Sequence, residues 1–292
     1  MTEPAGRARP AWPERRGGGR LIVVGTPIGN LGDLSPRAVE VLGRADLIAC
    51  EDTRRTRQLL SHSGVAGGRR LVAVNDHNEA AEVRRILARL DAGDTVALVS
   101  DAGMPGISDP GERVVAAAAA ARYEVQVVPG PSAALAALVV SGLPTARFSF
   151  EGFLPRRGKV RAQRLADIAA ERRTTVLFEA PHRIRETLAD LAAACGPTRG
   201  VALARELTKV FEDVWRGTLE DAVRHLESHE PRGEYVIVLA GAPPHEEPGD
   251  AEVESALRAL IDEGTDKRSA IARVASDLDV PKRRVYEVAI RL

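Results

Sequence analysis

Thr95-Val-Ala-Leu-Val-Ser-Asp-Ala-Gly-Met-Pro-Gly-Ile-Ser-Asp-Pro-Gly111 is the stretch that decides the fold. Val96 to Val99 form a continuous apolar run, as expected for a strand covered on both faces. The twelve residues from Ser100 to Gly111 hold three Gly, two Pro and two Asp, more than a plain connection needs. A buried strand opening into such a loop is how a parallel sheet presents a ligand site, because ligands sit at the carboxyl ends of strands. Asp101 falls at that strand end, where a carboxylate can accept hydrogen bonds from a ligand amine or hydroxyl. Asp109 reads as the cap of the next helix.

Other short apolar runs repeat the pattern on either side: Leu21–Val24, Asp46–Cys50, Leu71–Val74 and Glu124–Val128. Helical spacing fills the gaps. Pro36–Arg44 is preceded by Ser35 as a cap and begins on Pro36. Glu79–Leu90 places Val83, Ile86, Leu87 and Leu90 on one face. Gly111–Arg122 and Ser132–Ser141 follow. This βαβ rhythm predicts an α/β fold with a mostly parallel sheet. Two further Gly/Pro loops leave strand ends, Gly25-Thr-Pro-Ile-Gly-Asn-Leu-Gly32 and Pro129-Gly-Pro-Ser-Ala133. Either alone is a simple turn; three after three strands of one half build the sheet's edge around a ligand. Pro27 stands where a dinucleotide fingerprint needs its second glycine, which disfavours a dehydrogenase.

The second half changes character. Strands are expected at Phe148–Phe153, Thr174–Phe178, Gly200–Ala204 and Tyr235–Ala240. Helices are expected near Arg161–Ala170, Arg183–Ala194 and Leu219–Glu227, where Thr218 and Asp221 have capping-box spacing. The expected organisation is a disordered tail over 1–19, α/β domains over 20–147 and 148–241, a Pro- and Glu-rich linker over 242–250, and a small helical domain over 251–292. The last reads as three short helices, helix-turn-helix-like, made locally basic by Lys267, Arg268, Arg273, Lys282, Arg283 and Arg284.

The chain has 292 residues, 44% hydrophobic and 28% charged, the balance of a globular protein. Lys plus Arg and Asp plus Glu are both 41, which excludes a globally basic nucleic-acid coat but not a local basic patch. Cys50 and Cys195 are too few for a disulfide framework and fit a reducing, cytoplasmic setting. Aromatic residues are 3%, too few for an aromatic-rich platform for single strands. The longest apolar run, Val114–Ala121, is short for a membrane span.

Polar clusters end several strands: Glu51-Asp-Thr-Arg-Arg55, Asn75-Asp-His-Asn-Glu79, Glu179-Ala-Pro-His-Arg183 and Arg205-Glu-Leu-Thr-Lys209. Each alone is equally a helix cap. His77 and His182 are the histidines best placed to face a cleft, with a structural histidine as the alternative. Arg156-Arg-Gly-Lys-Val-Arg161, with Arg164 a turn on, is the densest basic cluster in the globular part. A solvated helix face usually mixes in acids, and none stands between Leu154 and Ala166, so phosphate contact is the sharper reading. His225 and His229 lie four apart without a third ligand near in sequence, so no metal is expected.

Taken in order, Gly25-Thr-Pro-Ile-Gly-Asn-Leu31, Glu51-Asp-Thr-Arg54, Ser100 to Gly111, Pro129 to Ala133, Gly152-Phe-Leu-Pro155, Glu179 to Arg183 and Arg205 to Lys209 resemble the bacterial ribosomal RNA small subunit methyltransferase I family. That family is one of the tetrapyrrole-methylase-like, class III S-adenosylmethionine methyltransferases. The resemblance covers about residues 20 to 241, and the helical tail is similar to the family's C-terminal appendage. It implies two α/β domains with S-adenosylmethionine in the cleft between them, a homodimer, and methylation of the ribose 2′-hydroxyl of a decoding-centre cytidine in the 16S rRNA of the small ribosomal subunit.

Carried over by position, the resemblance implies cofactor contacts at Pro27, at Ser100, Asp101, Ala102, Gly103, Pro105 and Ile107, and at Pro129, Gly130, Ser132 and Ala133. Catalytic candidates are Glu51, Asp52, His77 and Glu179, one of which would accept the proton or orient the hydroxyl. Arg54, Arg156, Arg157, Lys159, Arg161 and Lys209 would contact RNA. Two departures stand near the expected pocket: Met104, where the family usually has Thr, and Leu177-Phe178, where it more often has Phe-Tyr. The rivals are a methylase of corrin or porphyrin rings and a non-catalytic RNA-binding assembly factor on the same fold.

Overall fold

A computed structural model describes residues 18–66, 68, 70–75, 77–243 and 248–292. The tail expected over 1–19 lies outside the described residues up to 17, as does the part of the linker at 244–247. Contacts divide the chain into two units, Met1–Ala242 and Pro243–Leu292.

The larger unit begins with β1 (Arg20–Val24), α1 (Pro36–Arg44), β2 (Leu47–Cys50), α2 (Thr53–His62), β3 (Leu71–Ala73), α3 (Glu79–Asp91), β4 (Thr95–Val99), α4 (Glu112–Ala120), β5 (Glu124–Val128) and α5 (Ala133–Ser141). The five strands form one parallel sheet in the order β3-β2-β4-β1-β5. Side chains alternate between its faces. Ile22, Val24, Ile48, Ala97 and Val99 meet α1 and α2 through Val41, Leu42 and Leu60. Leu21, Val23, Val96 and Leu98 meet α3 and α4 through Ile86, Leu90 and Val114. Neighbouring β1 and β4 therefore send their chains to opposite faces. That reversal opens a crevice at their carboxyl ends, where α/β sheets bind ligands.

Local chemistry sets the boundaries. Ser35 caps α1 by accepting from the Ala38 N–H, with Pro36 at the first turn. The cap expected from Asp109 comes instead from buried Glu79 at the start of α3, whose Oε1 accepts from the N–H groups of Gly111 and Arg113. Gly111 has φ +129°, which an L side chain resists, so Gly111 itself takes the cap position.

The second half supplies β6 (Phe148–Phe153), α6 (Lys159–Ala170), β7 (Thr174–Glu179), α7 (Ile184–Cys195), β8 (Gly200–Arg205), β9 (Asp213–Thr218), α8 (Leu219–Ser228) and β10 (Tyr235–Leu239). The sheet order is β6-β7-β10-β8-β9; β6 and β7 are parallel and the other pairs antiparallel. One face packs on α6, α7 and α8 through Ile168, Leu188, Leu191 and Leu226. The other is covered by α5, whose Ala134, Ala137 and Leu138 meet Val176, Ala202, Val236 and Val238. Helix α5 thus links the cores of the two sheets. Thr218 and Asp221 form the full reciprocal capping box at the start of α8.

The C-terminal unit holds α9 (Asp250–Asp262), α10 (Lys267–Asp277) and α11 (Lys282–Arg291) around its own core of Val253, Leu257, Val274, Val285 and Val288. Its basic character is tempered: Arg284 and Arg291 pair with Asp250, Arg273 with Asp277 and Arg283 with Glu287. No helix among the described residues is long and apolar enough to cross a membrane.

Candidate functional site

The crevice is built by loops that approach through their main chains. The Gly25 N–H donates to the Val128 carbonyl, and Thr26 and Gly103 exchange backbone hydrogen bonds at 2.9 and 3.2 Å. The Thr26 hydroxyl reaches the Ser100 carbonyl at 3.2 Å. A Cβ on Gly25 would lie 2.6 Å from the Gly130 Cα, and one on Gly130 would lie 2.8 Å from the Gly25 Cα. Only a glycine pair permits that approach. It draws the loops after β1, β4 and β5 into one wall.

Opposite this wall stands the second sheet, and a cavity of about 460 Å³ lies between them. From the first half Ala102, Gly103, Met104, Ile107, Ser132 and Ala133 line it. From the second come Phe153, Phe178, Ala180, Leu207, Tyr235 and Val236. A second cavity of about 360 Å³ adjoins it, sharing Ile28, Ala102, Lys209 and Glu234. Its own walls include Thr26, Pro27, Leu31, Arg55, Ser100 and Asp101, so it is the more polar of the two, although the mainly apolar larger one also carries Asp109, Glu179, His182 and Glu206.

The structure sorts the acid candidates. The backbone N–H of Asp101 donates to Glu51 Oε2 at 3.4 Å, and Asp101 Oδ1 accepts from the Asp52 N–H at 3.0 Å. These bonds lock the ends of β2 and β4 together and leave Asp101 Oδ2 toward Arg55 Nε at 3.6 Å. Asp52 caps α2 and binds Arg54 bidentately. The hydrogen bonds from the Arg54 side chain and backbone hold its carboxyl far below the usual range. His77 is exposed and lines neither cavity. His182 does line the larger one.

Glu179 and Arg161, expected as a catalytic acid and an RNA contact, belong to one buried network. The Thr187 hydroxyl donates to Glu179 Oε2 at 2.6 Å and accepts from Arg161, which also donates to Asp190 and to the Pro155 carbonyl. Glu179 Oε1 accepts from the Ala180 N–H and faces Arg183 at 3.5 Å. Glu179 is itself among the residues lining the larger cavity, and its wholly buried side chain, bound into this network, braces the loop after β7. Arg161 is an internal tie, because α6 turns it to the same side as Ile168. Arg156, Arg157 and Lys159 stand exposed, with no acidic partner among the described residues. Arg54 is exposed but paired with Asp52. Arg164 pairs with Glu151.

Lys209 sits at the junction of the two cavities, donating to Glu206 at 2.9 Å and to Glu234 at 2.8 Å. Burial opposes its charge, but those two hydrogen bonds outweigh it and raise its pKa. Sequence reasoning missed Tyr235, Val236 and Glu234. Antiparallel β10 brings its amino end to where β7 and β8 finish, with Tyr235 opposite both Glu179 and Arg205. Of the two departures, Met104 and Phe178 do line the cavity, with Phe178 edge-on to Phe150 at 5.1 Å. Leu177 is buried on the opposite face of the sheet, away from the cavity.

A doubly wound sheet with a Gly/Pro-walled crevice against a mixed second sheet defines the tetrapyrrole methylase class, and the Tetrapyrrole (Corrin/Porphyrin) Methylases family matches residues 20–223. A crystal structure of the Thermus thermophilus uroporphyrin-III C-methyltransferase complexed with S-adenosylhomocysteine shares this fold. Its TM-score is 0.53 at 20% identity, covering 76% of this chain and 97% of that one. Within the class, similarity is much higher to the ribosomal RNA small subunit methyltransferase I of Synechocystis, 46% identical over 94% of this chain and 98% of that protein. The Xylella fastidiosa protein of the same name is 47% identical over 92% and 98%. The chain belongs to the ribosomal RNA small subunit methyltransferase I family.

Proposed function

We propose that this chain transfers a methyl group from S-adenosylmethionine to the ribose 2′-hydroxyl of a decoding-centre cytidine in 16S rRNA, acting on the small ribosomal subunit in the cytoplasm as a homodimer. The observation that carries the reading is the pair of adjoining cavities: a mainly apolar one, one wall of which is held together by backbone contacts, meeting a more polar one at Ala102 and Lys209. The larger cavity has a volume suited to a nucleoside-sized ligand. Its glycine approach leaves main-chain groups of residues 100–107 and 129–133 to hold the donor, which is the fit its polar ends require.

A bound S-adenosylmethionine supplies a methyl on a positively charged sulfur, already a good electrophile. The chain's residues must align the 2′-oxygen behind it, exclude water and take one proton as the new carbon–oxygen bond forms. Asp101 and Glu234 are the carboxylates on the polar cavity, and Glu234 is tied to Lys209, so Asp101 Oδ2 is the one that orients the hydroxyl and takes that proton. Glu51 and Asp52 hold Asp101 in place rather than acting directly. Arg156, Arg157 and Lys159 contact phosphates. The dimer rests on the exposed Leu135, Val139 and Val140 of α5, an apolar face for a second copy.

The test is methyl incorporation from labelled S-adenosylmethionine into 30S subunits from cells lacking this gene, followed by mapping of 2′-O-methylation. Methyl on one decoding-centre cytidine is expected. Methylation of a tetrapyrrole precursor in place of 30S would transfer the reading to the corrin and porphyrin methylases. Absence of S-adenosylmethionine binding would leave a non-catalytic assembly factor.

A further inference from the structure

Val210 and Phe211 are the least buried large apolar residues of the second half, 94% and 72% exposed. They form the tip of the loop between β8 and β9, and that loop is held unusually firmly. Glu206 and Thr208 both lie at positive φ, +50° and +66°, a conformation costly for a β-branched residue. The Thr208 hydroxyl is buried without a hydrogen-bond partner. Lys209, one residue before the tip, is clamped by Glu206 and Glu234, and Glu212 Oε2 accepts from the Thr208 N–H at 2.5 Å. Across the mouth of the polar cavity, Gly29 approaches so closely that a Cβ there would lie 2.4 Å from Lys209 Cγ. The same glycine loop ends in Leu31, a large apolar residue 43% exposed on the wall of that cavity.

A strained, clamped loop gains nothing for the core by keeping a phenylalanine in water at its tip. Its own core contribution is Leu207, and the tip lies beyond it. We infer that Phe211 is a positioning residue for the RNA: its ring stacks on the target nucleotide, or on the base that nucleotide leaves behind, as the ribose enters the polar cavity. This rests on the rRNA reading above. The partner's chemistry follows from the surroundings. A flat aromatic offers its face to any base without reading sequence. Arg55, largely exposed on the wall of the polar cavity and only loosely paired with Asp101 at 3.6 Å, offers positive charge to the flanking phosphates. Rigidity matters because a residue ordered before binding loses little entropy on stacking.

The test uses the full chain as wild type, Phe211→Ala and Phe211→Trp. Three quantities are measured: kcat and KM on 30S subunits lacking the modification, S-adenosylmethionine affinity by calorimetry, and the fluorescence of an RNA hairpin with pyrrolocytidine at the target position. Phe211→Ala should raise KM for 30S by about 10- to 100-fold, the range lost with one base–aromatic stack. S-adenosylmethionine affinity should stay unchanged. Pyrrolocytidine should change its fluorescence on wild-type binding and not with Phe211→Ala, while Phe211→Trp keeps KM within about threefold. An active wild type with an equally active Phe211→Ala overturns this inference and leaves the rRNA reading intact. So does a Phe211→Ala protein whose only defect is a change from dimer to monomer. A wild type that puts no methyl into 30S removes the rRNA reading, and this inference falls with it.

Discussion

Gly25→Ala tests the architecture of the crevice at its tightest point. The added methyl would sit 2.6 Å from both the Cα and N of Gly130 and 2.8 Å from Met104 Sδ. Carbon contacts settle near 3.5–4.0 Å, so the two loops must part by about 1 Å. Met104 can swing its sulfur aside, but the Gly130 main chain cannot. It is fixed by the 3.0 Å bond from Gly25 N to the Val128 carbonyl and runs directly into Ser132 and Ala133 on the cavity wall. Overpacking of this kind costs about 1–3 kcal/mol. For a unit of this size that lowers the melting temperature by roughly 2–12 °C. A displacement of about 1 Å at a ligand-holding loop should weaken S-adenosylmethionine binding on the order of tenfold to 100-fold. The control is Gly43→Ala in α1, where an added Cβ meets nothing within 4 Å. It should stabilise the fold by about 0.5–1 kcal/mol and leave the cofactor alone. Melting curves and calorimetry on the three proteins decide the matter. A Gly25→Ala protein that melts and binds like wild type would refute the claim that this glycine pair sets the crevice.

Asp101→Asn should lower methyl transfer to 30S by about 10²- to 10⁴-fold, with S-adenosylmethionine affinity close to wild type in calorimetry; full turnover would leave positioning alone as the account. Replacing Arg156 and Arg157 by Ala should flatten the salt dependence of RNA binding by about two units of log–log slope, whereas Arg161→Ala should spare that slope and lower the melting temperature by removing the buried hydrogen bonds to Thr187 and the Pro155 carbonyl. Burial pushes the Cys50 thiol up to about 11. Only a thiolate attacks, so native Cys50 should resist alkylation at pH 8 and become reactive as pH approaches that value or in denaturant, read by mass spectrometry. Light scattering should find the wild type a dimer and Val139→Asp, on the exposed face of α5, a monomer, with no loss of fold by circular dichroism.

The parallel sheet was legible because its three inner strands, β1, β2 and β4, are buried on both faces. Leu21–Val24, Val96–Val99 and their neighbours therefore read as unbroken apolar runs. Helix α2 was not legible: in Thr53-Arg-Arg-Thr-Arg-Gln-Leu-Leu-Ser-His62 only Thr56 and Leu60 are buried, too narrow a stripe to show a period. Strand β9, Asp213-Val-Trp-Arg-Gly-Thr218, escaped because an edge strand is only half covered. The Gly/Pro loops identified one wall of the cleft. The opposite wall depended on the direction of β10, which no residue pattern states. Arg161 had a readable signal, since it stands seven residues before buried Ile168 on one helix, but a run of cations masks which member turns inward. Phe211 was hidden by composition. Five phenylalanines in the whole chain argue against a stacking platform, yet one at the right loop tip is enough for a single base.

Lys209 links these observations, and its role differs from that of a surface phosphate contact. Its ammonium is only partly exposed and is shared between Glu206 and Glu234. Burial raises the pKa of Glu206, but the hydrogen bond from Lys209 and the backbone N–H of Glu234 lower it further, so Glu206 stays ionised beside Lys209 at neutral pH. A cation already neutralised by two carboxylates adds little attraction for RNA. Fixing the loop that carries Phe211 against the start of β10 is work it can do, and it lines both cavities while doing so. Lys209→Met should therefore hardly change the salt dependence of RNA binding. It should instead raise both the S-adenosylmethionine dissociation constant and KM for 30S, because two carboxylates left facing each other repel and open the junction. A Lys209→Met protein that lost salt dependence as Arg156→Ala does, with unchanged S-adenosylmethionine affinity, would return Lys209 to the phosphate-binding set.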